Sequence, residues 1–150
     1  MKCVWQGVAV VLFAVGSSLV LSACPPGTCG AMDPDLVGEW SGTATINGVE
    51  SGEASFTLDE MRWESRMLGG LSHLGGTYSA NTDVLPHEID LLVEYDIQDG
   101  EVVEREVPEL WLGLYSVSNN TLTLVHNATM NYRPENFEDA VIRFNGALAR

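Results

Sequence analysis

After Asp35 the apolar and polar residues alternate with a period of two, not 3.6, which is the pattern of strands that bury one face and wet the other. Trp40, Gly42, Ala44 and Ile46 alternate with Ser41, Thr43 and Thr45. Ala54, Phe56 and Leu58 alternate with Glu53, Ser55 and Thr57, and Trp63, Ser65 and Met67 with Arg62, Glu64 and Arg66. Ile89, Leu91, Val93, Tyr95 and Ile97 form the longest such series, with Leu92 the exception among its polar partners. Further strands are predicted over Leu110–Val117, Thr121–His126 and Ile142–Leu148. Asn47-Gly48, Asp99-Gly100 and Ser118-Asn119-Asn120 lie between strand candidates, and the two Gly pairs suit type I′ hairpin turns, which need φ > 0 at both central residues. No stretch carries a sustained helical stripe, although Pro134–Asp139 has room for one short turn. About eight strands with short connections predict an antiparallel up-and-down β-barrel, because closure removes exposed sheet edges. The two long connections are Met67–Gly76, read as a glycine-rich crossover with a mobile flap as the alternative, and Ala128–Asp139.

The chain ahead of the strands is different in kind. Lys2 is followed by an apolar run from Gly7 to Leu21, shorter than the roughly 20 residues of a bilayer span. Leu21-Ser22-Ala23-Cys24 closes the run and resembles the lipobox of bacterial lipoproteins. The resemblance implies a diacylglycerol thioether on Cys24, cleavage before it, and acylation of the new terminus, so that two or three chains hold the protein at a membrane. An ordinary cleaved signal and a retained helix are the competing readings. Residues 1–23 are thus assigned to a signal peptide, 24–35 to the lipidated cysteine and a Pro/Gly-rich tether, and 36–150 to the barrel. Cys29 would be the single free thiol of the mature chain. Pro25 stands where some bacteria use Asp for inner-membrane retention, which points to the outer membrane.

Leu36-Val37-Gly38-Glu39-Trp40 looks like the G-x-W signature that opens the first strand of lipocalins. In that fold the tryptophan closes the barrel base and an arginine of the last strand stacks on its ring; Arg143 and Arg150 are the candidates here. The order of motifs resembles more closely a family of short lipocalin-like bacterial domains of uncharacterised function. It runs from Gly38 and Trp40 through Gly76-Thr77-Tyr78, Glu88-Ile89-Asp90-Leu91, Gly113-Leu114-Tyr115, and Leu122 with Leu124, to Arg133-Pro134-Glu135-Asn136-Phe137. The acidic stretch Asp96–Glu109 departs from that pattern by its length. The resemblance implies a lipocalin-like barrel in the cell envelope and brings no catalytic residue.

Composition narrows the function. The chain of 150 residues carries 21 acidic against seven basic side chains, a net charge of −14, which excludes nucleic acid as a partner because phosphate binding needs a cationic face. Three cysteines are too few for a disulfide scaffold. His73, His87 and His126 are scattered without H-x-x-x-H spacing and read as surface or strand-end histidines, so no metal or other cofactor is expected. No G-x-S-x-G elbow is present, and the chain is not expected to be an enzyme. Asp96–Glu101 lacks the alternating ligands of a calcium loop and reads as a hairpin. A small barrel is either filled by its side chains or holds one small ligand. In the second case Trp63, Met67, Tyr78 and Tyr95 are the candidate pocket walls, with Gly42 and Ala44 leaving room, and the guest would be a small hydrophobic compound. In the first case the barrel is a scaffold for protein contact, as an inhibitor or assembly factor. Glu101, Glu104, Glu106 and Glu109, countered only by Arg105, would then meet a cationic envelope protein.

Overall fold

The computed structural model describes residues 33–127 and 132–149. Cys24, Cys29, Arg150 and the residues 1–23 assigned to a signal peptide lie outside the described residues. Eight antiparallel strands follow one another in chain order and close on themselves. They are β1 (Gly38–Ile46), β2 (Val49–Asp59), β3 (Arg62–Met67), β4 (Ser72–Asn81), β5 (His87–Gln98), β6 (Glu101–Ser118), β7 (Thr121–Asn127) and β8 (Ile142–Leu148). β8 completes the circle by pairing with β1, Trp40 opposite Leu148 and Ile46 opposite Ile142. The architecture is the up-and-down barrel that the alternation predicts, and it is consistent with the lipocalin-like fold that the resemblance implies.

The turns show why the meander forms. Asn47 and Gly48, Asp99 and Gly100, and Asn119 and Asn120 all have positive φ, so each pair makes the primed turn whose twist matches its strands. The Pro134–Asp139 segment forms bends rather than a helical turn; the Asn136 side chain accepts hydrogen bonds from the Glu138 and Asp139 amides and so competes with helical pairing.

The crossover expected over Met67–Gly76 is much shorter. A 3-10 turn at Leu68–Gly70 suffices, and β4 already begins at Ser72, with Gly75 and Gly76 inside the strand. Neither glycine serves a loop. A Cβ on Gly76 would stand 1.9 Å from the Leu92 carbonyl oxygen, and one on Gly75 would stand 2.5 Å from the Tyr95 ring. Gly76 is needed for close backbone approach across the β4–β5 ladder, whereas Gly75 makes room for the tip of the Tyr95 ring.

The base of the barrel is closed from the N-terminal side. Leu36 is fully buried, and its carbonyl accepts the Trp40 indole N–H at 2.9 Å. Gly38, with φ 153°, passes so near Leu148 that a Cβ there would come within 2.5 Å of Cδ1. Hence the G-x-W segment fixes the entry of the chain, the glycine by space and the tryptophan by its bond. Asp33, left in the tether by the sequence reading, packs into this base: its carboxylate accepts the Tyr115 hydroxyl at 2.7 Å and the Asp35 amide at 3.0 Å. The arginine expected over Trp40 is not Arg143, whose guanidinium reaches the Phe137 carbonyl instead. Arg143 alternates with the buried Ile142 and Phe144, so the strand period turns it away from the interior.

Candidate functional site

The interior is occupied by side chains that touch across the barrel. Phe144 of β8 meets Phe56 of β2 with ring centroids 4.9 Å apart. Phe56 stacks on Trp63 of β3 at 6.1 Å, and Trp63 meets Trp111 of β6 at 6.0 Å. Trp111 in turn stacks on His126 of β7 at 4.7 Å, with planes 12° apart. Five rings from five strands therefore bridge the barrel, each centroid distance within the range of favourable aromatic contact. Gly42 leaves no room for a guest: a Cβ there would lie 1.9 Å from the Asn145 carbonyl oxygen, so β8 itself takes the space.

Polar groups are set into this apolar train. Ser65 Oγ, Tyr78 Oη, Trp111 Nε1 and both ring nitrogens of His126 are buried and have no hydrogen-bond partner among the described residues. Burial pushes the His126 imidazole down to about 3, since the low-dielectric interior disfavours the charged ring. Burial, and then the Asp33 carboxylate, holds the Tyr115 hydroxyl well above its ordinary value. Tyr78 is raised by the same two causes in the same order. His126, next to last in β7, stands at a strand end as expected but is fully buried, which corrects the surface half of that reading. The signal was present in the sequence, because it falls in phase with Leu122 and Leu124, both fully buried.

The predicted pocket residues divide. Trp63, Met67 and Tyr78 all belong to the core. Tyr95 does not, because the ladder shifts register beyond Val93: Gly76 faces Val93, whereas Gly75 faces Tyr95. The extra residue, Glu94, reverses the phase of the strand and lays the Tyr95 ring over Gly75. Tyr95 there borders a shallow outer groove of about 270 Å³ with Arg62, Glu64 and Asp59. A larger open groove of about 640 Å³ runs over the outside of β1–β3, lined by Ser41, Thr43, Glu53, Ser55 and Arg66. Among the described residues no group of three or more His, Cys, Asp or Glu is arranged to hold a metal ion.

The acidic stretch is a β-arm. Beyond the Val93–Glu109 pair, β5 and β6 continue through Tyr95–Glu104, Asp96–Val103 and Ile97–Val102 to the Gln98–Glu101 pair. Arg105–Pro108 of β6 face the single Glu94, a wide irregularity at the root of the arm. Arg105 braces it, donating to Asp96 at 2.8 and 3.0 Å and to Glu109 at 3.1 Å. Glu101, Glu104 and Glu106 are exposed and have no ion pair among the described residues. Val102 and Val107 beside them are 60% and 79% exposed, far more than a core-facing strand allows.

Sequence reasoning also missed Arg133. It donates to the Ile89 and Gly113 carbonyls and to Asp90, and it lies 3.3 Å from Glu88, so one guanidinium ties the returning segment to β5 and β6. Its place in the R-P-x-x-F motif was the available signal. No protein-family model, curated protein or solved structure matches the chain.

Proposed function

We propose that the chain is a lipid-anchored protein of the bacterial cell envelope whose filled barrel is a scaffold for docking, with the acidic β5–β6 arm as its contact face. The observation that carries this reading is the train of five rings across the interior. A barrel packed in this way offers recognition on its outside, and the arm is the outer feature that joins exposed apolar side chains to uncompensated charge. Anchoring rests on Leu21-Ser22-Ala23-Cys24 and the lipobox that it resembles.

The test is salt-sensitive capture of a basic envelope protein by the full chain. Replacing Glu101, Glu104 and Glu106 with Gln together should abolish capture at low ionic strength; capture that survives the triple change rejects the arm as the contact face. The carrier reading has its own assay. It requires the ring train to open, so a micromolar fatty acid that quenches Trp63 emission would restore a hydrophobic ligand as the function.

A further inference from the structure

The arm has an open edge. β6 pairs with β7 only from Leu112 to Ser118, so among the described residues no strand lies beside Glu101–Glu106 on the side away from β5. The two-residue turn Asp99–Gly100 determines which groups face that side. The pair flanking such a turn, Gln98 and Glu101, exchanges both main-chain bonds, and alternate pairs along the ladder do not. Asp96–Val103 is then a bonded pair, whereas Ile97–Val102 and Tyr95–Glu104 are not. The N–H and C=O groups of Val102 and Glu104 therefore point outward.

Side chains complete the surface. By the two-residue period Val102, Glu104 and Glu106 share one face of the arm, and all three are exposed. Arg105, the arm's single cation, is on the other face and is taken up by Asp96 and Glu109. A second copy of this chain is a poor occupant, because edge-to-edge pairing would set glutamates against glutamates. Pro108 ends the receptive stretch, since it brings no N–H.

We infer that Glu101–Glu106 accepts an extended cationic peptide segment as an added strand. Its basic side chains, at alternate positions, would stand opposite Glu104 and Glu106, and an apolar one opposite Val102. This inference rests on the docking reading above and adds the mode of attachment and the chemistry of the partner.

The probe is a labelled dodecapeptide with Lys-Thr-Lys-Thr-Val at its centre and Thr and Ser elsewhere, titrated onto the full chain in detergent micelles and followed by fluorescence anisotropy. Val102→Pro deletes one outward N–H, keeps every charge and spares the β5 bonds. It should weaken binding about tenfold, while Val102→Thr binds as the parent does. Amide exchange on the parent gives a second readout that needs no variant: the Val102 and Glu104 amides should slow when the peptide is bound. If E104Q/E106Q weakens binding but Val102→Pro does not and no amide slows, strand addition is wrong and charge docking stands. If the parent shows no salt-sensitive binding of the peptide, the strand inference and the docking reading fall together.

Discussion

His126 should make the barrel acid-sensitive, and the effect should begin above the ordinary carboxylate range. The ring is fully buried against Trp111, both its nitrogens lack a partner among the described residues, and burial holds its pKa at about 3. In the unfolded chain the same ring titrates near 6.5. Between these values the unfolded state binds a proton that the folded state refuses, so stability falls as pH falls. The contribution is intact above about pH 6.5 and is lost progressively toward about pH 3. Its full size is on the order of 5 kcal/mol, and roughly half of that is lost between about pH 7 and 4.5. That is a large part of the 5–15 kcal/mol or so typical of a domain.

Urea unfolding followed by tryptophan emission at a series of pH values, for the parent and for His126→Phe, would measure the effect. Phe keeps the stack on Trp111 and removes the titrating group. Protonation of the many surface carboxylates relieves repulsion in both proteins alike, so it cancels in the difference. The parent should lose about 2–3 kcal/mol more than the variant over the upper part of this range. Parallel curves would refute the reasoning, because they would mean that the ring titrates normally in the folded state.

Other expectations follow from single contacts. Asp33→Ala leaves the Tyr115 hydroxyl buried without its acceptor and should cost about 1–3 kcal/mol, read as a lower urea midpoint. Because the Tyr115 pKa is raised on folding, the parent should keep this stability below about pH 10 and lose it as pH rises further; Tyr115→Phe should flatten that alkaline limb. Gly76→Ala drives a Cβ into the Leu92 carbonyl and should destabilise by about 3 kcal/mol or more in thermal melts. Gly75→Ala meets only the far end of the Tyr95 side chain, which can lift away, and should cost under about 1 kcal/mol. Cys24→Ala should move the protein from the membrane to the soluble fraction; a parent that is already soluble would end the lipid-anchor reading.

Local chemistry explains which features could be read in advance. Primed turns demand φ > 0, and Asn-Gly and Asp-Gly announce it, so strand order followed directly. Burial on one face enforces strict alternation, so most of the core followed as well. The misplacements come from devices that leave no periodic mark. One inserted residue at Glu94 reverses a strand that reads as unbroken, and Tyr95 moves outside. Gly75 and Gly76 look like a loop because glycine is common in loops, yet here they serve close packing of two strands. The residue type of His126 suggests a surface position, whereas its phase with Leu122 and Leu124 puts it in the interior. Asp33 acts through a partner 82 residues away and Arg133 through partners 20 to 45 residues away; alternation encodes neither contact, and only the R-P-x-x-F motif marks Arg133.

The same distinction between local and distant support bears on how the arm stands at all. A two-stranded hairpin is marginal by itself, and the arm buries little: Val102, Val103 and Val107 are all largely exposed. Its turn and ladder are local, and at its root four residues of β6 face one of β5, where regular pairing lapses. Arg105 spans that weak point, with a two-pronged bond to Asp96 on one strand and a third bond to Glu109 past the irregularity. The Asp96 bond is the main reason that the guanidinium holds its proton more tightly than usual. These side chains are a quarter to nearly half exposed, so solvent screening limits the brace to about 1 kcal/mol. Arg105→Gln should therefore speed amide exchange in Tyr95–Glu104 about fivefold and leave the thermal midpoint of the barrel unchanged. Unchanged exchange would show that the turn and ladder hold the arm without the brace. A lowered barrel midpoint would show that the arm is part of the core fold, and a face so coupled could not order on a partner independently of the barrel.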